Sequence, residues 1–376
     1  MTETAAAKTR VLVIGGYGFF GRRLVTLLGR QSNLEVIVAG RSIQRAEQLI
    51  AALGTESVAT LKAANIDAMA GTFCDQLLQI APDAVVHTSG PFQGQDYRVA
   101  EACIAAGAHY LDLADGRAFV EGITKLDGAA TRARVLVTSG ASSVPALSSA
   151  VVDRLATMFS ELHAIDIGIS PGNRTERGLS TIEAILSYCG KPLPTNTSAP
   201  VFGWSGAYRF AYPAPVGSRL LSPCDVPDLT LLPARYSGKP AVRFCAGLEL
   251  EFLHRLMNLM ALTTRVGLVR NWSRYARWIK RAADMFQTWG TDAGAMHVSV
   301  TGRAHDGSDL VRTWTLVAKE GDGPYVPTLA AAALVRQLAS GVLTRTGALP
   351  CMGLLTLDDF EREAEGFSIE MAALPA

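Results

Sequence analysis

The stretch RVLVIGGYGFFGRRLV, residues 10–25, constrains the fold more than any other part of the chain. A short β-branched apolar run stops at glycines, and the chain then resumes with helical spacing. Gly16, Gly18 and Gly21 read as G-x-G-x-x-G, while Gly15, Gly18 and Gly21 read as G-x-x-G-x-x-G. Either pattern alone is weak. Placed directly after a first strand and at the opening of a helix, it predicts the strand–turn–helix that starts a doubly wound sheet. The first glycines permit a tight turn and close approach of the backbone to a ligand, and Gly21 lets helix and strand pack closely. The helix N-terminus offers free N–H groups and a partial positive charge to an anion. The pattern predicts a dinucleotide pyrophosphate held by Gly15, Gly16, Tyr17, Gly18, Phe19, Phe20 and Gly21.

Up to about residue 155 the chain alternates apolar runs with helical patterns. RVLVI (10–14), LEVIVAG (34–40), SVATLKA (57–63), DAVVHT (83–88), HYLDL (109–113) and RVLVTS (134–139) read as strands. Ser42 caps IQRAEQLIAAL and Gly54 ends it, and DYRVAEACIAAG closes on Gly107 in the same way. Near-continuous apolar strands separated by helices predict a parallel sheet covered on both faces. After residue 160 the segments lengthen and alternate, and TGRAHDGSDL reads as a hairpin with Asp306-Gly307 at its turn. The expected fold class is α/β, a Rossmann sheet plus a second α+β domain with a mixed or antiparallel sheet. The expected divisions are 1–155 for nucleotide binding, 156–325 for substrate and dimer contact, and 326–376 as a segment returning to the first domain.

The end of the second strand bears on which dinucleotide binds. An NAD-selective site usually places an acidic residue there for the ribose 2′-hydroxyl. This chain has VAGRS instead. Gly40 removes the carboxylate, Arg41 supplies a cation for a 2′-phosphate, and Ser42 adds a hydroxyl donor. NADP(H) is therefore the expected cofactor. Ligands bind beyond the carboxyl ends of strands in such sheets, which adds Asp67 near the adenine and Ser89, Gly90 and Pro91 near the nicotinamide. Hydride transfer also needs a group to handle a proton. Asp112 and Asp115, after the fifth strand, are candidates, with Tyr97 as an alternative. Arg117, Arg174 and Arg177 could clamp a substrate carboxylate. Equally, Asp112 could orient a turn, Asp115 could cap a helix, and the arginines could be solvated.

VLVIGGYGFFGRRL, VAGRS, VVHTSGPFQGQDYRVAEACIAAGAHYLDLADG and VLVTSGASSVPALSSAVVDRL together resemble the saccharopine dehydrogenase family, in particular its NADP-binding domain of the saccharopine-reductase kind. The run from GPFQG to HYLDLADG is the more specific part. The resemblance implies a second α+β domain for substrate binding and dimer contact. It also implies hydride transfer to or from a C=N or C=O carbon of a small, amino-acid-like substrate. Relatives with this kind of first domain include polyamine-forming enzymes and trans-acting enoyl reductases. Two other readings stand beside it: a non-catalytic NADP(H) sensor, and an enoyl reductase acting on a lipid-like acyl chain.

Composition narrows the field. The 376 residues carry a net charge of +1, which argues against a general nucleic-acid binder. The cysteines at 74, 103, 189, 224, 245 and 351 contain no CxxC pair and read as reduced thiols of a cytoplasmic protein. No apolar leader opens the sequence. No tyrosine has lysine four residues on, so a short-chain dehydrogenase pair is missing. GWSGA ends in Ala207 rather than the glycine of a nucleophile elbow. Glu251 and His254 form a single i, i+3 pair, where a di-iron bundle needs two. No metal is expected. Residues 267–286 place Arg270, Arg274, Arg277 and Arg281 on one helical face, and Trp272, Tyr275, Ile279 and Phe286 on the other. Such a helix can lie on an anionic membrane. The plainer expectation is that its apolar face packs on the second domain.

Overall fold

A computed structural model of the chain describes residues 8–195 and 199–373. They divide into two compact units, residues up to 146 with 327–355, and residues 147–326 with those from 356 onward. The division expected near 155 thus falls after Ala146, because the helix Ser148–Ala156 packs on strands of the second unit. The segment expected to return whole over 326–376 is split at Leu355.

In the first unit the strands are β1 (Thr9–Ile14), β2 (Leu34–Gly40), β3 (Thr60–Asn65), β4 (Ala84–His87), β5 (His109–Asp112) and β6 (Leu136–Ser139). They pair in parallel in the order β3-β2-β1-β4-β5-β6, the doubly wound order, and the strand Gly347–Pro350 adds a seventh beside β6. The order in which strands are added reverses between β1 and β4, the switch point beyond which ligands bind in such sheets. Residues Val11 to Ile14 of β1 are all buried, as a strand covered on both faces must be. The helices α1 (Gly21–Leu28) and α2 (Ile43–Leu53) follow β1 and β2. Ser42 caps α2 by accepting from the Arg45 N–H, and Gly54 ends it. β3 starts three residues later than expected. Ser57 Oγ donates to the Gly29 and Ala59 carbonyls, and the Val58 and Ala59 N–H groups also bond Gly29, which holds 57–59 as a turn.

The second unit is built on a mixed seven-stranded sheet in the order Tyr208–Ala211, Ser218–Pro223, Ala241–Ala246, Phe159–Ser170, Gly294–Ala304, Asp309–Ala318 and Ile369–Ala373. Only the third and fourth of these pair in parallel. The hairpin expected at Asp306-Gly307 forms, with Gly307 at φ +85° and Asp306 Oδ1 accepting from the Ser308 N–H at 2.9 Å. Ile165, Ile167, Val298 and Val300 make its core. The helices Glu251–Arg265 and Ala276–Asp284 lie in this unit and are tied by Trp272 Nε1, which donates to the Met260 carbonyl at 3.0 Å. No helix among the described residues is long and apolar enough to cross a membrane.

Candidate nucleotide site of the first unit

The glycine loop is built by backbone. The Gly15 and Gly16 N–H groups both donate to the Ala39 carbonyl at 2.9 and 3.0 Å, and the Gly18 N–H turns back to the Gly15 carbonyl at 2.7 Å. Gly15 sits at φ +77°, where L side chains are strained. A Cβ at Gly18 would lie 2.9 Å from the Gly15 carbonyl oxygen, and one at Gly21 would collide with that oxygen. The N–H groups of Tyr17, Phe19 and Phe20, ahead of α1, take no partner among the described residues. These are the orphan donors that suit a pyrophosphate.

Tyr17 then links this loop to the end of β2. Its hydroxyl accepts from the Ser42 N–H at 2.9 Å. A Cβ at Gly40 would stand 2.6 Å from Tyr17 ring carbons, so glycine there makes room for the ring. The Arg45 guanidinium lies 4.6 Å from the centre of the same ring. Arg41 and Arg45 are exposed, and neither side chain meets a carboxylate among the described residues. The first turn of α2 contains no acid. A helix N-terminus disfavours cations, so two arginines here fit an anionic ligand better than they fit the helix. Sequence reading found Arg41 and missed Arg45, although a cation in the first turn of a helix was the available signal.

The other expected cofactor residues have local duties. Asp67 Oδ1 accepts from the Met69 N–H at 3.0 Å and shapes the loop after β3. Thr88 ties the loop after β4 to β1, its hydroxyl donating to the Ile14 carbonyl at 2.9 Å. The exposed Ser89 side chain occupies the space a Cβ on Gly15 would need. The Gln95 amide donates to the Ser89 and Pro91 carbonyls, fixing the path through Gly90 and Pro91.

The three residues proposed for proton handling differ sharply. Asp112 is fully buried. Its Oδ1 accepts from Ser139 Oγ, the Gly140 N–H and the Ala114 N–H at 2.8–2.9 Å, and burial pushes its carboxyl up to about 6. It joins the ends of β5 and β6, which is the turn-orienting role weighed from sequence. Tyr97 donates its hydroxyl to the Phe119 carbonyl at 2.8 Å, and burial raises its pKa. Asp115 is half-buried and accepts from Gln93 Nε2 at 3.1 Å, a bond that joins the loops after β4 and β5. His87, at the end of β4, went unremarked in the sequence. Its Nδ1 lies 3.3 Å from the Tyr110 hydroxyl, and burial lowers its pKa to about 4, so the ring is neutral.

The arginines expected to clamp a substrate are engaged. Arg117 stands 3.9 Å from Glu121. In the second unit, Arg174 Nε donates to the Thr288 carbonyl at 3.2 Å and Arg177 Nη2 donates to Asn173 Oδ1 at 2.6 Å. Burial lowers the Arg177 pKa. His254 of the second unit is buried against Ser222 Oγ at 2.9 Å, a structural contact. Among the described residues no group of three His, Cys, Asp or Glu side chains is placed to hold a metal.

Comparison with known proteins places this geometry. The family described as "Saccharopine dehydrogenase NADP binding domain" matches residues 11–141. No curated protein sequence matches the chain. Among solved structures, saccharopine dehydrogenase (L-Glu forming) from Saccharomyces cerevisiae is similar over 98% of this chain and 100% of that one, at 14% identity and a TM-score of 0.69. Homospermidine synthase from Legionella pneumophila, solved in complex with NAD, is similar over 98% and 92%, at 10% identity and a TM-score of 0.60. At these identities the structures establish a shared fold. The glycine loop, the free donors and the family match agree on a nucleotide-binding domain: residues 11–141 are similar to the saccharopine dehydrogenase NADP-binding domain, and the whole chain shares the fold of saccharopine dehydrogenase.

Proposed function

We propose that the protein is an NADP(H)-dependent oxidoreductase that transfers hydride to or from the C=N or C=O carbon of a small, amino-acid-like substrate. The observation that carries the reading is the end of β2, where Arg41 and Arg45 flank the Ser42 cap without a carboxylate among them. That arrangement suits a 2′-phosphate and offers nothing to a bare 2′-hydroxyl pair. The donors of Tyr17, Phe19 and Phe20 would hold the pyrophosphate, and the loop of Ser89, Gly90 and Pro91 would border the nicotinamide. When bound, the cofactor supplies the hydride. The chain must then settle the proton. Asp115 suits that role better than Asp112, since it retains exposure and one of its partners is a neutral amide. The substrate class follows the saccharopine dehydrogenase resemblance.

The test is a screen of NADPH oxidation against oxo-acids, aldehyde–amine mixtures and enoyl thioesters. On any hit, Asp115→Asn should lower kcat by about 10²–10⁴-fold, the usual scale of general acid–base help, with NADPH affinity retained. Unchanged turnover would remove Asp115 from the mechanism. Activity on the enoyl thioesters alone would move the substrate class to acyl chains. No turnover across the set would favour a redox sensor.

A further inference from the structure

The second unit carries an apolar surface that its own core does not use. Ten of the sixteen exposed large hydrophobic side chains described in the chain fall between residues 252 and 289, too concentrated for scatter. On the helix Glu251–Arg265, Phe252, Leu256, Leu259 and Leu262 form one exposed stripe that Val266 continues just past its end, while Leu253, Met257 and Met260 face inward. The helix thus has apolar residues on both faces. Phe252 continues the surface across to Phe286 and Trp289, with ring centres 5.1 and 6.0 Å away.

The expectation that residues 267–286 simply pack their apolar face inward is met only in part. Ala276 is buried and the helix Ala276–Asp284 packs on the helix Leu179–Ser187. Its outward face, however, mixes cations with large apolar groups. Trp278 is 69% exposed and Met285 77%, on the same face as Arg277 and Arg281. Leu268, in the preceding loop, is 77% exposed. Residues 265–286 contain six basic side chains and one acid, Asp284, which Lys280 already holds at 2.7 Å. Arg270, Arg274 and Arg277 meet no carboxylate among the described residues.

We infer that this surface docks on an anionic lipid bilayer, with Trp278, Leu268 and Met285 entering the headgroup layer and the arginines meeting lipid phosphates and carboxylates. Charge decides the occupant. A second copy of the chain would set this cationic face against another of the same sign, and a neutral apolar partner would leave the arginines unmatched. An interfacial surface needs both features, apolar groups rich in tryptophan and a cationic fringe. The second unit then serves as a membrane-surface anchor, whatever the first unit's substrate.

The experiment uses the full chain with phosphatidylcholine vesicles, with and without phosphatidylserine, followed by cosedimentation. Binding should require phosphatidylserine and weaken with salt. Each of Arg274→Gln and Arg277→Gln should weaken partitioning about fivefold, and the double reversal to Glu should abolish it. Trp278→Ser should weaken it at constant charge. All three positions are exposed, so thermal melts and NADPH titration should match the parent protein and show that the fold is kept. Equal binding to both vesicle types, or to neither, overturns the inference. So does concentration-dependent self-association that Trp278→Ser removes.

Discussion

At the end of β2 in the first unit, Arg41 and Arg45 stand exposed with no acidic partner among the described residues. In the second unit, Arg219 is shut in with Glu249 at 3.1 Å, both side chains less than 10% exposed, and the neighbouring Arg177 is held by Asn173. Glu249 also accepts from the Asn173 and Thr291 N–H groups and from the Thr291 hydroxyl. The same residue type is thus spent on architecture at Arg219 and left available at Arg41 and Arg45. What marks a candidate ligand site is an arginine whose donors the fold has not used.

The sharpest way to break this contrast is to remove the carboxylate that consumes Arg219. Glu249→Ala leaves a buried guanidinium uncompensated and strands two backbone N–H groups, so it should cost about 3–5 kcal/mol of stability, read by urea unfolding. NADPH affinity at the temperature where the variant is folded should not change. A loss of cofactor affinity alongside the stability would show that the buried network is not purely architectural.

The two units also each bury a lone carboxyl. Asp112 in the first is pushed up to about 6, and Asp228 in the second, which accepts from Ser148 Oγ, to about 7, in both cases chiefly by burial. The unfolded chain titrates its aspartates near pH 3.9. The folded state holds these protons more tightly, so the stability they contribute is fully present below about pH 4 and is lost as pH rises through 6 and 7. Asp112→Asn cannot ionise. Its unfolding free energy, relative to the parent protein, should therefore rise by up to about 3 kcal/mol between pH 4 and 8. A flat difference would mean that Asp112 reaches solvent, and would return it to the candidates for proton transfer.

The first sheet was legible because its strands are nearly unbroken apolar runs, and because Ser42, Gly54 and Gly107 punctuate the helices where the physics of caps requires. The strand Gly347–Pro350 was not, since four residues ending in proline carry no period. The role of Asp112 was open in sequence because an aspartate after a strand serves a turn or a cleft equally well, and only its burial and its three donors separate the two. The segment 267–286 misled more deeply. Periodicity identifies an apolar face, but the inference that apolar means inside fails where a helix is apolar on two sides. For Arg45 the position in the first turn of α2 was legible, and its partner was not. Its proximity to Tyr17 comes from the turn that brings the glycine loop against β2, a contact no linear pattern records.

That contact yields the finest test of the contrast between spent and unspent arginines. Arg41 would meet the 2′-phosphate directly, so Arg41→Ala should narrow the preference for NADPH over NADH by about 1–3 kcal/mol, the worth of a charge-assisted hydrogen bond. Arg45 is partly committed, since its guanidinium lies over the Tyr17 ring, a contact worth about 0.5–1 kcal/mol at an exposed site. Arg45→Ala should therefore have two small effects. It should narrow the NADPH preference by less than Arg41→Ala does. It should also weaken NADH binding slightly, because Tyr17 buttresses the Ser42 turn and loses its cover. Arg45→Lys keeps the charge but loses the planar stack, so it should restore the NADPH preference more fully than the NADH affinity. Titration of both nucleotides against the three variants, followed by intrinsic fluorescence, separates the charge from the stacking. Equal affinities for NADPH and NADH in the parent protein would show that neither arginine serves a 2′-phosphate.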